Sequence, residues 1–392
     1  MKNDFLKYQG QTTPHPLAIE ISHANGSYIY DANGKKMLDF VAGVSANSLG
    51  HNHPKINDAI KNQLNSYTHV MVYGEFIQKP QLELCKALAN TLPENLSAVY
   101  LVNSGTEATE GALKLAKRFT ERSEIIAAKN GYHGNTQGAM SVCGAEQQNR
   151  AFRPLVPGVK FIEFNNEIDL NKITTKTAGV ILETIQGGAG FIVPKNDYLS
   201  KVKERCKEVG ALLILDEIQT GVGRTGKFWG FENYNVVPDI IIAGKGLGGG
   251  MPIGAFIASF DVMSCLKENP KLGHITTFGG HPIIASAGLA TVKEITSTNL
   301  IEETLRKEIL IRNKFKNHSA IKEIRGRGLM LALLVESPEI ASKIILNSLE
   351  NGLILFWLLF EGSAIRITPP LTISDEEINE GCDLILNELN NL

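Results

Sequence analysis

Short apolar segments alternate with helical segments through the middle of this 392-residue chain. Between residues 98 and 255 the apolar segments include AVYLVN, EIIAAK, GVILET, ALLILD and DIIIAG. Helical spacing of apolar residues separates them, most clearly over 106–119 and 196–210, and a shorter strand is predicted near GAMSVCG. Buried strands that alternate with helices are typical of an α/β domain whose largely parallel sheet is covered on both faces. Ligands of such sheets bind at the carboxyl ends of the strands.

The two ends of the chain predict a second, smaller unit. Near the N-terminus, Asn33-Gly34 lies between two alternating strands, which indicates a β-hairpin. After residue 296, helices and short strands follow one another in an α+β pattern, and the chain is too long for one small core. We therefore predict a large domain of residues 48–295 and a small α+β domain formed by residues 1–47 and 296–392.

Charge and cysteine content narrow the classes of partner. The net charge is −2 without a long run of like charge, so we expect neither nucleic acid nor a membrane as a partner. The first residues have no apolar h-region, and no later apolar run approaches the length of a membrane span. Five scattered cysteines without a C-x-x-C motif predict reduced thiols and a cytoplasmic location. His51 and His53 have no third ligand at a suitable spacing, so we expect no metal site.

Two of the predicted strands end at a charged residue. Asp216 closes ALLILD, and Lys245 follows DIIIAG. A carboxylate that hydrogen-bonds a pyridine nitrogen keeps that nitrogen protonated, so the ring accepts electrons. A desolvated lysine amine forms a Schiff base with a carbonyl. The pair therefore points to pyridoxal 5′-phosphate, and Gln219, three residues beyond Asp216, is placed to reach a ring hydroxyl.

Other interpretations of this pair stay open from the residues alone. A carboxylate at a strand end also binds Mg²⁺ in nucleotide hydrolases, but the chain has no GxxxxGK[ST] loop. Gly244–Gly249 matches G-x-G-x-x-G, so a nicotinamide-dependent dehydrogenase is an alternative. Pro252 and IGAFIAS follow this motif, and IGAFIAS predicts a strand instead of the helix that the dehydrogenase motif requires. Both features therefore count against that alternative. Lys245 as a solvent-facing loop residue is a further possibility.

Ser104-Gly105-Thr106 stands between the strand AVYLVN and the helix after it. Free N–H groups and the helix dipole at such a helix start bind phosphate. The same residues, with Glu107 three positions after Ser104, also match a capping box. The two interpretations are compatible, because a capped helix start still presents N–H groups to a ligand.

Two more candidates come from an aromatic residue and a cation. Tyr132, in a Tyr-His-Gly sequence after EIIAAK, is placed to stack on a flat ring or to pack on loop neighbours. Arg366 lies on the apolar strand AIRIT, where an arginine meets a substrate carboxylate or a structural ion-pair partner.

Together these segments resemble the class III, fold type I pyridoxal-phosphate aminotransferases over nearly the whole chain. The acetylornithine, ornithine, putrescine and 4-aminobutyrate enzymes are members of this class. In this chain, LDEIQTGVGRTGKFWGFE followed by PDIIIAGKGLGGGMPIGA is similar to the signature of the class. The segments similar to the rest of the class occur in the same order: GSYIYDANGKKMLDFVAGVSANSLGHNHPKI, VNSGTEATEGALKLAKRFT, GYHG, VILETIQGGAG, TTFGGHP and IRITPPL.

The resemblance implies a role for each candidate. Lys245 is implied as the catalytic Schiff-base lysine, which also moves a proton between Cα and C4′, and Arg366 as the receptor of the substrate carboxylate. The implied cofactor-binding residues are Ser104, Gly105, Thr106, Tyr132, Asp216, Gln219 and Thr277. Thr277 would reach the cofactor of a neighbouring subunit, so a homodimer is implied as well.

The implied reaction is a ping-pong transfer through the pyridoxamine form of the cofactor. The donor would carry the ω-amine of a diamine, an ω-amino acid or an ornithine-type compound. The acceptor would be a 2-oxo acid such as 2-oxoglutarate or pyruvate. A racemase, a mutase or a decarboxylating aminotransferase on the same scaffold would share the cofactor contacts and is the alternative within this class.

Three features depart from the pattern of the class or bear on its substrate. Asn135 stands where acetylornithine and ornithine members have an arginine for the donor α-carboxylate. Gly188 stands where many members have a glutamate that masks the substrate arginine. The apolar segment of residues 353–360 favours either a less polar substrate or a core strand. We expect these positions to change the substrate and not the cofactor.

Overall fold

The structure is a computed structural model that describes all of residues 1–392. Its fifteen strands are β1 (Ile21–Asn25), β2 (Tyr28–Asp31), β3 (Lys36–Asp39), β4 (Ala98–Val102), β5 (Glu124–Ala128), β6 (Val159–Ile162), β7 (Thr177–Glu183), β8 (Leu212–Asp216), β9 (Ile240–Gly244), β10 (Gly254–Ala258), β11 (Glu323–Arg327), β12 (Met330–Leu334), β13 (Leu353–Ile354), β14 (Phe356–Trp357) and β15 (Ala364–Ile367).

Thirteen α-helical segments accompany the strands. They are α1 (Lys2–Tyr8), α2 (Ala42–Ser45), α3 (Pro54–Leu64), α4 (Lys79–Ala89), α5 (Gly105–Thr120), α6 (Gln137–Ser141), α7 (Glu146–Asn149), α8 (Tyr198–Val209), α9 (Phe260–Ser264), α10 (Pro282–Thr296), α11 (Leu300–Phe315), α12 (Pro338–Glu350) and α13 (Asp375–Asn390). None of these helices combines the length and the apolar character that crossing a membrane requires.

A seven-stranded sheet forms the centre of the molecule, in the order β4-β10-β9-β8-β7-β5-β6. β10 runs antiparallel to both of its neighbours, and the pairings among β6, β5, β7, β8 and β9 are parallel. The residues of β7, β8, β9 and β10 are all buried. Their continuous apolar sequences follow from this burial on both faces. The mixed α/β fold with a mostly parallel sheet confirms the predicted fold class.

Successive residues of each central strand face opposite layers of helices. In β8, Leu213 and Leu215 join the apolar cluster that includes α8, whereas Leu212 and Ile214 join the cluster that includes α5. Because side chains alternate along a strand, both helical layers draw on the same short segment. The parallel pairing of β5, β7, β8 and β9 places their carboxyl ends at one edge of the sheet.

Two four-stranded sheets form the smaller part of the molecule, in the orders β1-β2-β3-β13 and β11-β12-β15-β14. β2 and β3 are antiparallel around Gly34, whose φ of 82° suits the predicted turn. β13 pairs in parallel with β3, with Leu353 opposite Leu38, so the two ends of the chain share a sheet. The domain limits at residues 48 and 295 remain a prediction.

Two local predictions differ from the structure. The segment GAMSVCG (138–144) was expected to be a strand, but α6 covers most of it. The N–H groups of Gly138 and Ala139 donate to the Glu110 carboxylate, which satisfies the start of this helical turn. The strand β11 was not predicted, because its sequence EIRGR lacks an apolar run.

Candidate active site

A cavity of about 510 Å³ opens at the carboxyl ends of the parallel strands, beneath β14 and β15. Seven of the nine predicted site residues line it: Gly105, Thr106, Tyr132, Asp216, Gln219, Lys245 and Arg366. A larger and more open groove, of about 1450 Å³, lies at the C-terminal end of α5 and contains none of them. The smaller cavity is therefore the candidate active site.

Lys245 directly follows β9 and faces the cavity. Its φ is 44°, in the left-handed region that a non-glycine residue rarely adopts, which is a strain found mainly at functional sites. Burial lowers the pKa of the Lys245 ammonium to about 8; the positive charge of Arg366 acts in the same direction, and Asp216 and Glu183 oppose it. A substantial fraction of the lysine is therefore the neutral, nucleophilic amine near physiological pH.

Asp216, the last residue of β8, is held by two hydrogen bonds. Its Oδ2 lies 2.7 Å from Nδ1 of the buried His133, and its Oδ1 accepts from the Ile218 N–H at 2.9 Å. Burial alone would lower the pKa of His133, but the hydrogen bond to Asp216 and its charge outweigh burial and raise that pKa. The pair therefore holds a carboxylate in a fixed orientation at the strand end.

Glu183 is a second buried carboxyl group at this edge. It ends β7, in register with Asp216, and its oxygens accept from the N–H groups of Gly187 at 2.9 Å and Tyr132 at 3.0 Å. Burial, followed by the charge of Asp216, raises the pKa of Glu183 to about 7, against the opposing effect of His133. The carboxyl group fixes the loop that carries Tyr132.

The start of α5 points at the cavity. Ser104 is its N-cap, and its Oγ accepts from the Glu107 N–H at 3.3 Å. Glu107 accepts from the Asn103 N–H at 2.7 Å instead of completing a capping box with Ser104. Gly105 and Thr106, in the first turn, have N–H groups without an intrahelical acceptor. The structure thus supports capping at Ser104 and leaves the next two N–H groups for a ligand.

The loop after β5 approaches this helix start closely. Gly134 has a φ of 125°, and a Cβ atom there would lie 2.3 Å from the Thr106 side-chain oxygen. Only glycine fits both the backbone conformation and the space. Tyr132, half-buried two residues earlier, is thereby held on the cavity wall. Gln219 reaches the same space, and its amide donates to Ser45 Oγ at 3.3 Å.

Arg366 lies on β15 and is only 5% exposed. Its Nε and Nη1 have no hydrogen-bond partner, and Nη2 lies 3.5 Å from the Trp357 carbonyl oxygen. Burial lowers the pKa of this guanidinium to about 10. No acidic side chain pairs with it, so the structural ion pair that the sequence left open is absent. A buried, unpaired cation that faces a cavity is a receptor for an anionic ligand.

Two predicted residues lie away from the cavity lining. Ser104 directs its side chain to the cap of α5, and Thr277 is on an exposed segment before α10. The dehydrogenase alternative is wrong on local structure. After β9, residues Lys245–Gly248 form a single 3₁₀ turn and the chain returns as the antiparallel β10. No helix begins there to bind a pyrophosphate.

His133 and Glu183 were missed as site residues. The pattern that identified Asp216 is also present at Glu183, which is likewise a carboxylate at the end of an apolar strand. His133 is adjacent to the predicted Tyr132, but its bond to Asp216 joins residues 83 positions apart in the chain.

The side chains present fit pyridoxal phosphate. They provide a strained lysine with a lowered pKa, an oriented carboxylate, an aromatic ring and a helix start with free N–H groups. These groups match, in turn, the carbonyl, the ring nitrogen, the ring face and the phosphate of that cofactor.

Comparison with known proteins gives the same assignment. The model of the aminotransferase class-III family matches residues 9–389. The acetylornithine aminotransferase of Caldanaerobacter subterraneus subsp. tengcongensis is 38% identical over 381 residues, 94% of this chain and 93% of its own length. The [LysW]-aminoadipate semialdehyde/glutamate semialdehyde transaminase of Sulfolobus acidocaldarius is 36% identical over 372 residues, 94% of each chain.

A solved structure of the Toxoplasma gondii ornithine aminotransferase superposes with a TM-score of 0.92 at 31% identity, covering 100% of this chain and 94% of that one. That structure has pyridoxal phosphate at partial occupancy in its active site. The fold and the site thus define a pyridoxal-phosphate-dependent transaminase. The chain belongs to the class-III aminotransferases.

Proposed function

We propose that this enzyme moves the ω-amine of a diamine, an ω-amino acid or an ornithine-type donor to a 2-oxo acid such as 2-oxoglutarate or pyruvate. The donor carbon is oxidised to a carbonyl and the acceptor carbon is reduced to an amine, so the two half-reactions balance without an outside oxidant. The observation that carries the proposal is that Lys245, with its lowered pKa, and the unpaired Arg366 face one cavity.

Pyridoxal phosphate supplies a carbonyl that condenses with amines and a ring that accepts the electron pair left when a proton departs. Lys245 is proposed to bond to this carbonyl and, once displaced by a substrate amine, to take a proton from the substrate carbon and return it. Its pKa of about 8 suits both directions of that transfer. Asp216, held by His133, is proposed to keep a proton on the ring nitrogen.

The remaining contacts are proposed to position the cofactor. Gly105 and Thr106 would bind its phosphate through their N–H groups, with Ser104 holding the helix start in place. Tyr132 would cover the ring face, and Gln219 would donate to the ring hydroxyl. None of these contacts discriminates between substrates, since all of them face the cofactor.

Arg366 is proposed to receive a substrate carboxylate. The acetylornithine and semialdehyde transaminases among the relatives support a donor of ornithine type. Asn135 and Gly188 stand where such enzymes are expected to have charged residues. For this reason the donor class proposed here is wider than one compound.

We also propose a homodimer in which Thr277 binds the phosphate in the neighbouring subunit's site. The surface around Thr277 supports an interface, because Phe76 and Ile77 line one groove with Thr276, and Ile77 is 93%, Phe76 58% and Phe278 53% exposed. Exposed apolar side chains that cluster in this way mark interaction surfaces. Sedimentation velocity tests the proposal, which predicts a single dimeric species.

The cytoplasm is the proposed compartment, supported by five cysteines that form no disulfide.

A half-reaction screen tests the proposed function. Holoenzyme is mixed with ω-amino acids, diamines and ornithine-type amines, and the cofactor's absorbance reports its conversion from the aldehyde to the amine form. We expect conversion by at least one ω-amine and its reversal by a 2-oxo acid. If no amine converted the bound cofactor to its amine form, the proposed reaction would be contradicted.

A further inference from the structure

The charges on the cavity wall are few, and all but one belong to the sheet edge. Lys245, Asp216 and Glu183 are charged or titratable groups at the strand ends, and His133 is bonded to Asp216. Only Arg366 offers a charge from the β14–β15 side. The lining side chains of this chain therefore contain one cation for a substrate carboxylate, and no second one.

Phe360 fills the space beside Gly188, on the wall of the same cavity as Arg366. The Phe360 N–H donates to the Gly188 carbonyl at 2.9 Å, which fixes the segment after β14 against residue 188. A Cβ atom on Gly188 would lie 2.9 Å from the Phe360 ring and 3.5 Å from Leu359 Cβ. No side chain fits at position 188 unless Phe360 moves, so that position cannot supply a counter-charge.

The nearest acidic residue along the chain is engaged elsewhere. Glu361 accepts from Ser363 Oγ at 2.6 Å and lies 3.8 Å from the Arg325 guanidinium. The Arg366 guanidinium instead lies over the ring of Phe191, 5.8 Å from the ring centroid. The Arg366 guanidinium therefore has no acidic partner in this chain and is available to a ligand carboxylate.

The wall beside Arg366 is apolar. Phe356, Trp357 and Leu359 line the cavity there. The Trp357 indole N–H donates to Ser342 Oγ at 3.0 Å, which directs its polar atom away from the cavity and holds the ring in place. A ligand that bonds Arg366 through one carboxylate therefore meets hydrocarbon and aromatic surface with the rest of its length.

From these contacts we infer that the amino acceptor is a 2-oxo acid with one carboxylate and an apolar remainder, and that a dicarboxylic acceptor is disfavoured. The inference rests on the proposed function, of which it selects one acceptor class. A second carboxylate would be desolvated without a partner in this cavity, which costs far more than burying a methyl group.

Two matched pairs of compounds test the inference. The acceptors 2-oxopentanoate and 2-oxoglutarate have the same chain length and differ in a terminal methyl or carboxylate. With enzyme carrying the cofactor in its amine form, we expect kcat/KM for 2-oxopentanoate to exceed that for 2-oxoglutarate at least about tenfold. Equal or better use of 2-oxoglutarate would overturn the inference and would mean that the second carboxylate meets a cation outside this lining.

The unreactive pair pentanoate and glutarate tests binding without turnover. By calorimetry on the holoenzyme, we expect pentanoate to bind at least about tenfold more tightly, and Arg366→Met to abolish that binding. Retention of the cofactor's absorbance shows that the variant is folded. Pentanoate binding unchanged in Arg366→Met would overturn the assignment of Arg366. Because this measurement needs no amino donor, it separates failure of the inference from failure of the proposed reaction.

Discussion

The two sides of the cavity differ in how their buried charges are satisfied. On the sheet side, Asp216 is bonded to His133 and to a backbone N–H, and Glu183 accepts two backbone N–H groups. On the small-domain side, Arg366 is almost fully buried and has no acidic partner. Satisfied groups hold a fixed geometry, whereas an unsatisfied buried charge costs stability until a ligand pairs with it.

We propose that this difference separates catalysis, on the sheet side, from substrate selection, on the side of Arg366. A cofactor that stays bound through many turnovers needs rigid, pre-oriented groups, and the sheet side provides them. A substrate that enters and leaves supplies its own counter-charge, and the small-domain side leaves a cation available for it. We expect substitutions on the sheet side to lower kcat for every substrate and those around Arg366 to change substrate preference.

The largest effect is expected for Lys245→Ala. Without the amine, the proposed proton transfer and the covalent link to the cofactor are both lost, so kcat should fall at least about 10⁴-fold. Steady-state kinetics and the absorbance of the bound cofactor measure the change. Lys316→Ala, at an exposed position, is the control and should retain full activity. Substantial turnover by the Lys245 variant would contradict the proposed role.

A smaller loss is expected for Asp216→Asn. A neutral amide cannot stabilise a protonated ring nitrogen, and His133 loses its anionic partner. We expect kcat to fall about 10²- to 10³-fold, as for loss of other preorganised electrostatic contacts. The free energy of unfolding should also fall, by about 1–3 kcal/mol, because a buried hydrogen bond is broken. A kcat within about twofold of the wild type would refute the role of the carboxylate.

Arg366→Met should separate stability from function. The KM for the 2-oxo acid should rise at least about 30-fold, the lower limit for removing one partner of a buried charge pair. The free energy of unfolding should stay unchanged or rise by about 1 kcal/mol, because an unpaired buried charge is removed. Denaturant unfolding of this variant beside Asp216→Asn measures the contrast. If Arg366→Met were the less stable of the two, the comparison between the two sides would be wrong.

The pKa of Lys245 predicts a pH dependence for cofactor capture. Burial lowers that pKa to about 8, so the amine is protonated and unreactive below this pH and neutral above it. The rate at which the apoprotein bonds to pyridoxal phosphate should rise about tenfold per pH unit below about 8 and level off above it. Stopped-flow absorbance measures this rate. A profile that keeps rising to pH 10 would show an ordinary, unperturbed lysine.

The smallest effect is expected for Gly188→Ala. The added methyl group would lie 2.9 Å from the Phe360 ring, and overpacking of this kind costs about 1–3 kcal/mol. In a double-mutant cycle with Phe360→Ala, the double variant should lose less stability than the sum of the single variants. Additive losses would show that the two residues are not in contact.

The sheet side was largely predictable, because its signals are local. The apolar strands that precede Asp216 and Lys245, and the Ser-Gly-Thr turn before α5, can each be recognised within a few residues of sequence. Parallel strands bring such ends to one edge, so their proximity follows from the fold class. The role of Glu183 was missed although its position carried the same signal.

The small-domain side could not be predicted to the same extent, because its contacts join distant segments. The contact of Phe360 with Gly188 depends on how the segment after β14 packs over the central sheet. That Arg366 lacks an ion-pair partner is a property of the whole packed structure and not of its strand. The same holds for α6, which replaces a predicted strand because Glu110, from another helix, caps it.

Locating the cofactor's attachment point tests the central claim most directly. Holoenzyme is reduced with borohydride and digested, and mass spectrometry identifies the lysine that carries the pyridoxyl group. The account predicts a single modified residue, Lys245, in the peptide that contains AGKGLGGG. Modification of another lysine, or of none in a protein that binds pyridoxal phosphate, would contradict it.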